Sequence, residues 1–400
     1  MAEAVSLAHA LNLEIAFDLV VKLRKPQAGL LFGKGKLEEL AGMMAAEDVD
    51  LVLIDGPVSP IQQRNLEKHW KVKVLDRTGL ILEIFGERAR TREGVLQVDL
   101  ANLEYQKTRL VRSWTHLERQ RGTGGGAGGT VGGSGESQLE SDRRAIDDAI
   151  VRLKKQLVKV EKTRSLHRAA RAKVPYPIVA LVGYTNAGKS TLFNTLTGAN
   201  VMAKDMLFAT LDPTMREVEL PEGQKIILSD TVGFISELPT QLVAAFKATL
   251  EEVLDADLIL HIRDISHPET QAQADDVRDI LGELGITERA QEHMIEVWNK
   301  IDLLAQDAQE TTLNQAERTE AVLAVSATTG QGVPDLLAGI EAALEDPMST
   351  ETIRLAYAEG KRRAWLFSQN VVDSEEQDAL GFLVTVTWTS KQAAQFEKYG

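Results

Sequence analysis

The sequence predicts an α/β protein. A large central α/β domain follows a smaller α/β domain and a long antiparallel helical hairpin, and it precedes a small α+β domain. Three observations predict this arrangement. Strand-length apolar runs alternate with helical patterns in residues 1–91 and 175–347, two long helical repeats flank a glycine-rich stretch in residues 92–174, and short strand-like and helix-like segments share residues 348–400. We therefore expect four domains with these bounds.

Length and composition limit the class of protein. A chain of 400 residues and 43.9 kDa can hold two to four domains with substantial cores. No apolar run approaches the roughly 18–20 residues of a membrane span. The N-terminus opens with the acid Glu3 and lacks the basic-then-apolar pattern of a secretory signal. The absence of cysteine excludes disulfides and thiolate metal sites. These features favour the cytoplasm and leave peripheral membrane association open.

Charge is distributed unevenly along the chain. Residues 1–174 carry 29 Lys+Arg against 23 Asp+Glu, a net charge of +6, whereas residues 175–400 carry 16 against 36, a net charge of −20. Such asymmetry suggests a basic half that meets nucleic acid and an acidic half that keeps the molecule soluble. A solvated helix face is the alternative explanation of the basic half.

Residues 12–91 alternate between strand-like and helix-like patterns. Three strands are predicted, at 15–20, 49–54 and 72–75. Three helices are predicted, at 35–46, 60–69 and 78–89. This alternation suggests a short parallel sheet with covering helices. Residues 33–36, Gly-Lys-Gly-Lys, resemble half of a phosphate-binding loop but lack its full spacing and a hydroxyl after the lysine. We interpret them as the turn that starts a helix, and weak ATP binding there stays open.

Residues 92–174 carry two long helical patterns joined by glycine. In the second pattern, apolar residues recur at spacings of 4, 3, 4 and 3, which is a heptad seam: Ile146, Ile150, Leu153, Leu157 and Val160. Two such helices predict an antiparallel hairpin. Its tip is residues 122–135, where nine of fourteen residues are glycine, so we expect no packed core there and a mobile tip.

The returning helix of this hairpin is strongly basic. Residues 142–173 carry eleven Lys+Arg against four Asp+Glu, a net charge of +7. A flexible tip on a basic arm suits an RNA groove, where phosphates supply most of the affinity. The candidate RNA contacts are the four arginines that flank the tip, Arg119, Arg121, Arg143 and Arg144. A solubilising coiled coil is the alternative.

The stretch 178–197 organises the central domain. An apolar run of strand length leads into Gly183-x-x-x-x-Gly188-Lys189-Ser190, and apolar residues at helical spacing follow. Strand, glycine-rich loop and helix in this order are the context of a P-loop, whose backbone N–H groups surround phosphates. Lys189 is predicted to reach the β- and γ-phosphates, and the Ser190 hydroxyl to bind Mg²⁺.

Four further motifs follow in the order that guanine-nucleotide binding requires. Asp230-x-x-Gly233 supplies a carboxylate that holds Mg²⁺ through water and an N–H for the γ-phosphate. Asn299-Lys300-x-Asp302 supplies a carboxylate that pairs with guanine N1 and N2. Ser326-Ala327-Thr328 matches the last base-contacting loop, where the Ala327 N–H is expected at guanine O6. Residues 208–214 occupy the place of a switch that closes over Mg²⁺, with Thr210 as the predicted metal-bound hydroxyl and Thr214 as the reserve.

These five motifs predict a domain that binds GTP and GDP. The predicted metal residues are Ser190, Thr210 and, through water, Asp230. The predicted catalytic residues are Lys189, Thr210, Gly233 and Asn186. The full set of predicted nucleotide contacts is Gly183, Tyr184, Thr185, Asn186, Ala187, Gly188, Lys189, Ser190, Thr191, Phe208, Ala209, Thr210, Leu211, Asp212, Asp230, Thr231, Val232, Gly233, Asn299, Lys300, Ile301, Asp302, Ser326, Ala327 and Thr328.

One position predicts slow hydrolysis by the free protein. Phe234 follows Gly233, where Ras-like GTPases place the glutamine that orients the attacking water. Because phenylalanine cannot hydrogen-bond water, another group must complete the site. We suggest K⁺ bound by Asn186, together with a macromolecular partner that orders the switches. A purely structural role of Asn186 in capping the loop is the alternative.

The chain resembles the HflX family of translational GTPases, in the Obg-HflX group, over nearly its whole length. The central domain does so at residues 183–194 and 208–214. Outside it the resemblance rests on five stretches, GKGKLEEL at 33–40, QRNLE at 63–67, ARTREG at 89–94, WTHLERQ at 114–120 and ESQLESDRR at 136–144. At the tip the chain departs from the family, since its glycine turn is longer and Ser134 and Ser137 replace the usual proline and threonine.

This resemblance, and not the composition, implies the biological role. It implies binding to the large ribosomal subunit and its rRNA, action in ribosome splitting or rescue under stress, and a GTPase activity that the subunit stimulates. It also implies a monomer, with no DNA partner. A nucleotide-sensing assembly checkpoint without remodelling stays open, as does an ATP-driven RNA remodeller that uses the N-terminal domain.

The tail, residues 348–400, predicts strands at 353–357 and 381–388 with a helix at 361–369. Its role cannot be inferred from the sequence.

Overall fold

The computed structural model describes residues 1–400 except 24, 122–132, 172–175, 200–206, 209, 211–213, 237–252, 255, 287–293, 346–347, 379–380 and 399–400. It divides into two compact units, Met1–Leu336 and Leu337–Gly400. None of the helices in these described parts is both long and apolar enough to cross a membrane.

The first unit begins with a small α/β region. Its elements are α1 (Ala2–Ala10), α2 (Lys34–Ala46), β1 (Leu51–Ile54), α3 (Pro60–Trp70), β2 (Lys73–Asp76) and α4 (Arg77–Arg88). Strands β1 and β2 pair in parallel over their full length. Helix α3 begins in a capping box, in which Ser59 and Gln62 satisfy each other's backbone N–H groups.

Two features of this region differ from the sequence prediction. Residues 15–20 form no strand. Strands β1 and β2 pair only with each other, so residues 15–20 lack a partner strand, and local propensity alone does not form a ladder. Phe17 packs against the local core, while Val20 is 69% exposed. Helix α1 was not predicted, and its Leu7 and Ala10 are buried in the core that includes α4.

The helical hairpin consists of α5 (Arg92–Arg121) and α6 (Gly133–Arg171). Ion pairs join the two helices, one between Lys107 and Asp147 at 2.5 Å and one between Lys154 and Glu104 at 2.9 Å. Most of the predicted tip, residues 122–132, lies outside the described residues, and its last three residues belong to α6.

The central domain is built on a six-stranded sheet in the order β4-β5-β3-β6-β7-β8. The strands are β3 (Ile178–Gly183), β4 (Thr214–Glu219), β5 (Lys225–Asp230), β6 (Leu258–Asp264), β7 (Ile295–Asn299) and β8 (Val322–Ala324). All are parallel except β4, which runs antiparallel at the edge beside β5. Because parallel strands end at the same edge, the loops after β3, β5 and β7 converge there. The helices in the described part of this domain are α7 (Lys189–Thr197), α8 (Thr270–Glu283), α9 (Gln306–Arg318) and α10 (Val333–Leu344).

The second unit carries a three-stranded antiparallel sheet in the order β10-β11-β9. Its elements after α10 are β9 (Met348–Leu355), α11 (Gly360–Ser368), β10 (Val372–Asp378), β11 (Gly381–Thr389) and α12 (Ser390–Lys398). Trp365, Trp388 and Phe396 meet in its core. The sequence predicted β9, α11 and β11 and missed β10 and α12. Strand β10 was missed because its polar sequence lacks an apolar period, and pairing with β11 decides its structure.

Candidate nucleotide-binding site

A cavity of about 300 Å³ opens where the loops after β3, β5 and β7 converge. Every motif predicted for the nucleotide contributes to its wall. The lining residues are Thr185, Asn186, Gly188, Lys189, Ser190, Thr191, Phe208, Thr210, Thr231, Gly233, Asn299, Lys300, Asp302, Leu303, Ala327 and Thr328.

The remaining predicted contacts lie behind this wall or outside the described residues. Gly183, Tyr184, Ala187, Asp230, Val232, Ile301 and Ser326 are described and do not line the cavity. Ala209, Leu211 and Asp212 lie outside the described residues. Leu303 also lines the cavity. The sequence did not predict it, because its only signal is its position directly after Asp302.

The structure requires glycine at two places, one in the P-loop and one in the loop after β5. Gly188 has φ +94°, and a Cβ built on it would lie 2.2 Å from the Asn299 side-chain nitrogen. A Cβ on Gly233 would lie 2.9–3.1 Å from Thr185 and the Lys189 ammonium. The P-loop and the loop after β5 therefore approach each other too closely for any side chain between them.

Lys189 begins helix α7 and is buried at the floor of the cavity. Its Nζ donates to the carbonyl oxygens of Gly183, at 3.1 Å, and Tyr184, at 2.8 Å. The pKa of Lys189 is lowered to about 8, mainly by burial; the Asp230 charge opposes this shift and the Lys300 charge adds to it. An anion in the cavity would raise the pKa again and stabilise the charged form, which is the behaviour expected of a phosphate-binding lysine.

Three oxygen-bearing side chains meet beside Lys189. The Ser190 hydroxyl donates to Asp230 Oδ2 at 2.7 Å, the Thr210 hydroxyl donates to the same oxygen at 2.8 Å, and the two hydroxyls lie 2.9 Å apart. Thr214, the reserve for the metal-bound hydroxyl, instead pairs with Asp230 in the β4–β5 ladder.

This corner fits a magnesium ion. Asp230 Oδ1 is buried without a hydrogen-bond partner among the described residues, and burial raises the pKa of its carboxyl. Two hydroxyls and a carboxylate are the hard oxygen ligands that Mg²⁺ prefers, and a cation would stabilise the ionised carboxylate. GTPases of this architecture generally use Mg²⁺ in this position.

Asn299 joins the base-binding loops to the P-loop. Its amide nitrogen donates to the Ala187 carbonyl at 2.9 Å, and its Oδ1 accepts from the Ala327 N–H at 3.0 Å. The Ala327 N–H, which the sequence placed at guanine O6, is therefore directed at Asn299 here. Asp302 is exposed at the cavity rim in the short 3₁₀ turn Ile301–Leu303. The side chain that could select guanine is thus free to meet a base.

Phe234 does not face the cavity. Its side chain is 1% exposed and packs in the core, and its backbone pairs with the P-loop through Thr185 N–H to Phe234 O at 2.7 Å and Phe234 N–H to Gly183 O at 3.1 Å. The Phe234 side chain therefore cannot orient the attacking water. Asn186 is exposed on the cavity wall with φ +59°.

Contacts from the N-terminal region reach both loops that close the site, and the sequence gave no signal of them. Arg77 at the start of α4 donates to the carbonyl of Ser236, three residues after Gly233, at 3.0 Å, and it also binds Glu3 and Asp55. The Tyr184 hydroxyl donates to Glu3 at 2.7 Å and accepts from the Ser236 N–H at 2.8 Å.

A second contact reaches the loop that carries Thr210. Phe85 of α4 packs edge-on against Phe208, with ring centroids 4.6 Å apart, and both rings are buried. Helix α4 therefore contacts both loops beside the metal corner, one at Ser236 and the other at Phe208.

The predicted RNA contacts occupy the hairpin. Arg143 and Arg144 are exposed on α6, where Arg144 pairs with Glu140 at 2.6 Å. Arg119 and Arg121 belong to α5, and their side chains lie outside the described part.

The sheet order and the converging loops define a P-loop GTPase: phosphate loop, metal corner and guanine-facing carboxylate lie around one cavity. Four family models match successive parts of the chain. They describe a GTP-binding GTPase N-terminal region at 1–86, a GTP-binding GTPase middle region at 88–171, a 50S ribosome-binding GTPase at 178–300 and an HflX C-terminal domain at 311–399.

Relatives of known name cover most of the chain. GTPase HflX of Magnetococcus marinus is 51% identical over 91% of this chain and 81% of its own, and GTPase HflX of Escherichia coli is 44% identical over 90% and 83%. A solved GTP-binding protein from Sulfolobus solfataricus in complex with GDP is 23% identical over 86% of this chain and 94% of its own, with a TM-score of 0.46. On its sequence relatives, the chain belongs to the GTPase HflX family.

Proposed function

We propose that this GTPase associates with the large ribosomal subunit through its N-terminal domain and basic hairpin, and that it splits or rescues ribosomes under stress. Its GTP turnover is proposed to be slow in the free protein and raised by the ribosome. The 50S ribosome-binding GTPase model that matches residues 178–300 supports the partner, and the +7 charge of residues 142–173 supports an RNA contact. We further propose that it acts as a cytoplasmic monomer with no DNA partner.

One observation carries this proposal: helix α4 contacts both loops that a γ-phosphate would order. Arg77 of α4 donates to the Ser236 carbonyl, and Phe85 of α4 packs on Phe208. A movement of either loop on GTP binding or hydrolysis must therefore break or shift contacts with the N-terminal region. Because α4 also packs against α5 of the hairpin, a change between the GTP and GDP states would be transmitted to the hairpin, which is proposed to contact rRNA.

Within the site, each side chain has a proposed part. Lys189 stabilises charge on the β- and γ-phosphates, Ser190 and Thr210 bind Mg²⁺, and Asp230 holds it through water. The N–H of Gly233 would meet the γ-phosphate. Asp302 selects guanine.

The missing water-orienting side chain is proposed to be replaced by K⁺ held by Asn186. Exchange of K⁺ for Na⁺ is then expected to slow the turnover of the free protein, because Na⁺ has a smaller radius and different coordination. The check is phosphate release in matched chloride buffers. An equal rate in both buffers would remove the cation from the proposal and favour the capping role of Asn186.

Sucrose-gradient sedimentation of whole ribosomes with the protein and a non-hydrolysable GTP analogue tests the function. Separated subunits are expected to accumulate. Stable binding to large subunits without separation would instead support a nucleotide-sensing checkpoint. An ATP-driven remodeller is disfavoured, because Gly33 is the N-cap of α2, the described residues before it contain no strand, and Lys36 pairs with Glu39.

Arg77→Met is expected to uncouple the arm from the nucleotide. The wild type should bind large subunits more tightly with a GTP analogue than with GDP, and the variant should show a ratio near one. Methionine keeps the stem but donates no hydrogen bond to Ser236. Co-sedimentation with purified subunits measures the ratio. Arg354→Met, which removes an exposed ion pair with Asp378 in the second unit, is the matched control and should leave the ratio unchanged. A normal ratio in Arg77→Met would contradict this route of coupling.

Deleting residues 122–135 is expected to spare the basal GTP turnover and to weaken its stimulation by large subunits. The reason is that the glycine-rich tip is far in sequence from the five nucleotide motifs and is proposed to face RNA. Turnover with and without subunits measures both effects in one assay. Full stimulation of the deletion variant would count against an RNA-facing tip.

A further inference from the structure

Lys300 lines the nucleotide cavity, and it forms an ion pair with Asp264, which does not line the cavity. Lys300 Nζ lies 2.7 Å from Asp264 Oδ2, and the two side chains are only 20% and 14% exposed. An ion pair this sheltered is less screened than a surface pair and fixes the direction of the lysine stem.

Asp264 is itself held by backbone structure. It is the last residue of β6 and the register partner of Asn299 on β7. Its Oδ1 accepts hydrogen bonds from the Ser266 N–H at 3.0 Å and the Ser266 hydroxyl at 2.6 Å. One carboxylate oxygen is thus used to fix Asp264, and the other is left to receive Lys300.

Lys300 needs such a restraint. Its backbone has φ +68°, an uncommon conformation for a residue with a side chain. Its Cε lies 3.9 Å from the point where a Cβ on Gly188 would sit, so the stem passes beside the P-loop. Its charge also acts on the Lys189 ammonium, since it contributes to the lowered pKa of Lys189. Without a counter-charge, the two cations would repel each other across the cavity.

We propose that Asp264 is a positioning residue for the bound nucleotide. It holds the Lys300 stem along the wall where a guanine base would lie, and it offsets the Lys300 charge beside Lys189. This inference rests on the proposed nucleotide site, in which the Lys300 stem would lie along the plane of the guanine base. It assigns no base selectivity to Asp264, because the selecting carboxylate is Asp302.

A double-mutant cycle tests the inference. The variants are Asp264→Asn, Lys300→Ala and the two combined, and the readouts are the dissociation rate and Kd of a fluorescent GDP analogue. Asp264→Asn is expected to weaken binding about tenfold, mainly through faster dissociation, since it removes a charge-assisted bond. In the Lys300→Ala background the same substitution should cause no further loss, because Asp264 acts only through Lys300.

Controls separate positioning from a structural role. Ser266→Ala removes one bond to Asp264 and leaves the ion pair, so it should change Kd less than Asp264→Asn. Asp264→Ala provides a second variant if Asp264→Asn unfolds, with the melting temperature measured for each. Independent losses that add in the combined variant, or an unchanged Kd in Asp264→Asn, would overturn the inference. Failure of the wild type to bind GDP would instead overturn the proposed nucleotide site.

Discussion

Lys189→Ala is expected to lose GTP binding and hydrolysis together. The buried Lys189 ammonium lies at the floor of the cavity, hydrogen-bonded to the carbonyls of Gly183 and Tyr184, where it is proposed to meet the phosphates. A hydrogen bond to a charged group is worth about 1.5–3 kcal/mol, so affinity for GTP should fall by roughly 10- to 150-fold. Loss of transition-state stabilisation should reduce turnover further.

Equilibrium binding of a fluorescent GTP analogue and phosphate release measure the two effects. Lys225→Ala, an exposed lysine paired with Glu217 on the sheet edge, is the matched control and should behave as the wild type. Lys189→Met keeps the apolar stem and removes the charge. Because the pKa of Lys189 is lowered to about 8, mainly by burial, the lysine is still mostly charged at pH 7 and its buried charge costs the folded state free energy. The nucleotide-free methionine variant should therefore melt no lower than the wild type. GTP binding near wild-type affinity by either variant would contradict the assignment of Lys189.

Asp302→Asn is expected to shift base preference from guanine to xanthine. The Asp302 carboxylate is proposed to accept hydrogen bonds from guanine N1 and N2. Asparagine would instead direct its amide NH₂ at the amino group on position 2, so that two donors face each other. Xanthine carries a carbonyl there, which the amide can meet. The penalty of an unpaired polar group is about 1–3 kcal/mol, so GTP affinity should fall by roughly 5- to 150-fold while XTP affinity rises.

Competition of GTP, XTP and ATP against the fluorescent analogue measures the preference. Asp307 is an exposed acid in the first turn of α9, away from the cavity. Asp307→Asn removes the same charge as Asp302→Asn and should keep the preference for guanine. Unchanged selectivity in Asp302→Asn would mean that the loop after β7 does not read the base.

Much of the nucleotide site could be predicted from sequence, because four of the five motifs lie at the end of an apolar strand. Parallel strands end at one edge of a sheet, so the sequence predicts that Lys189, Asp230 and Asp302 lie near one another. The structure brings Ser190, Thr210 and Asp230 into hydrogen-bond contact. It places Thr214 instead in the β4–β5 ladder. The sequence did not predict this, because the six residues of β4 show no apolar period.

Prediction failed where a residue's partner is distant in the chain. Residues 15–20 form a short apolar run typical of a strand, but a strand needs a neighbour, and β1 and β2 pair only with each other. Asp264 carries no motif, yet sheet register sets it opposite Asn299 and beside Lys300. Glu3 is 181 residues from Tyr184, and nothing local indicates their hydrogen bond.

The sequence by itself determined the class of this protein, since recognition of phosphate, metal and base each depends on a short segment whose residues and spacing can be read from the sequence. Only the tertiary structure decided how those segments are joined to the rest. The contacts of Arg77 with Ser236 and of Phe85 with Phe208 arise when α4 packs on the central domain. The physical reason is that such contacts bring together surfaces separated by more than a hundred residues, and packing, not local propensity, selects them.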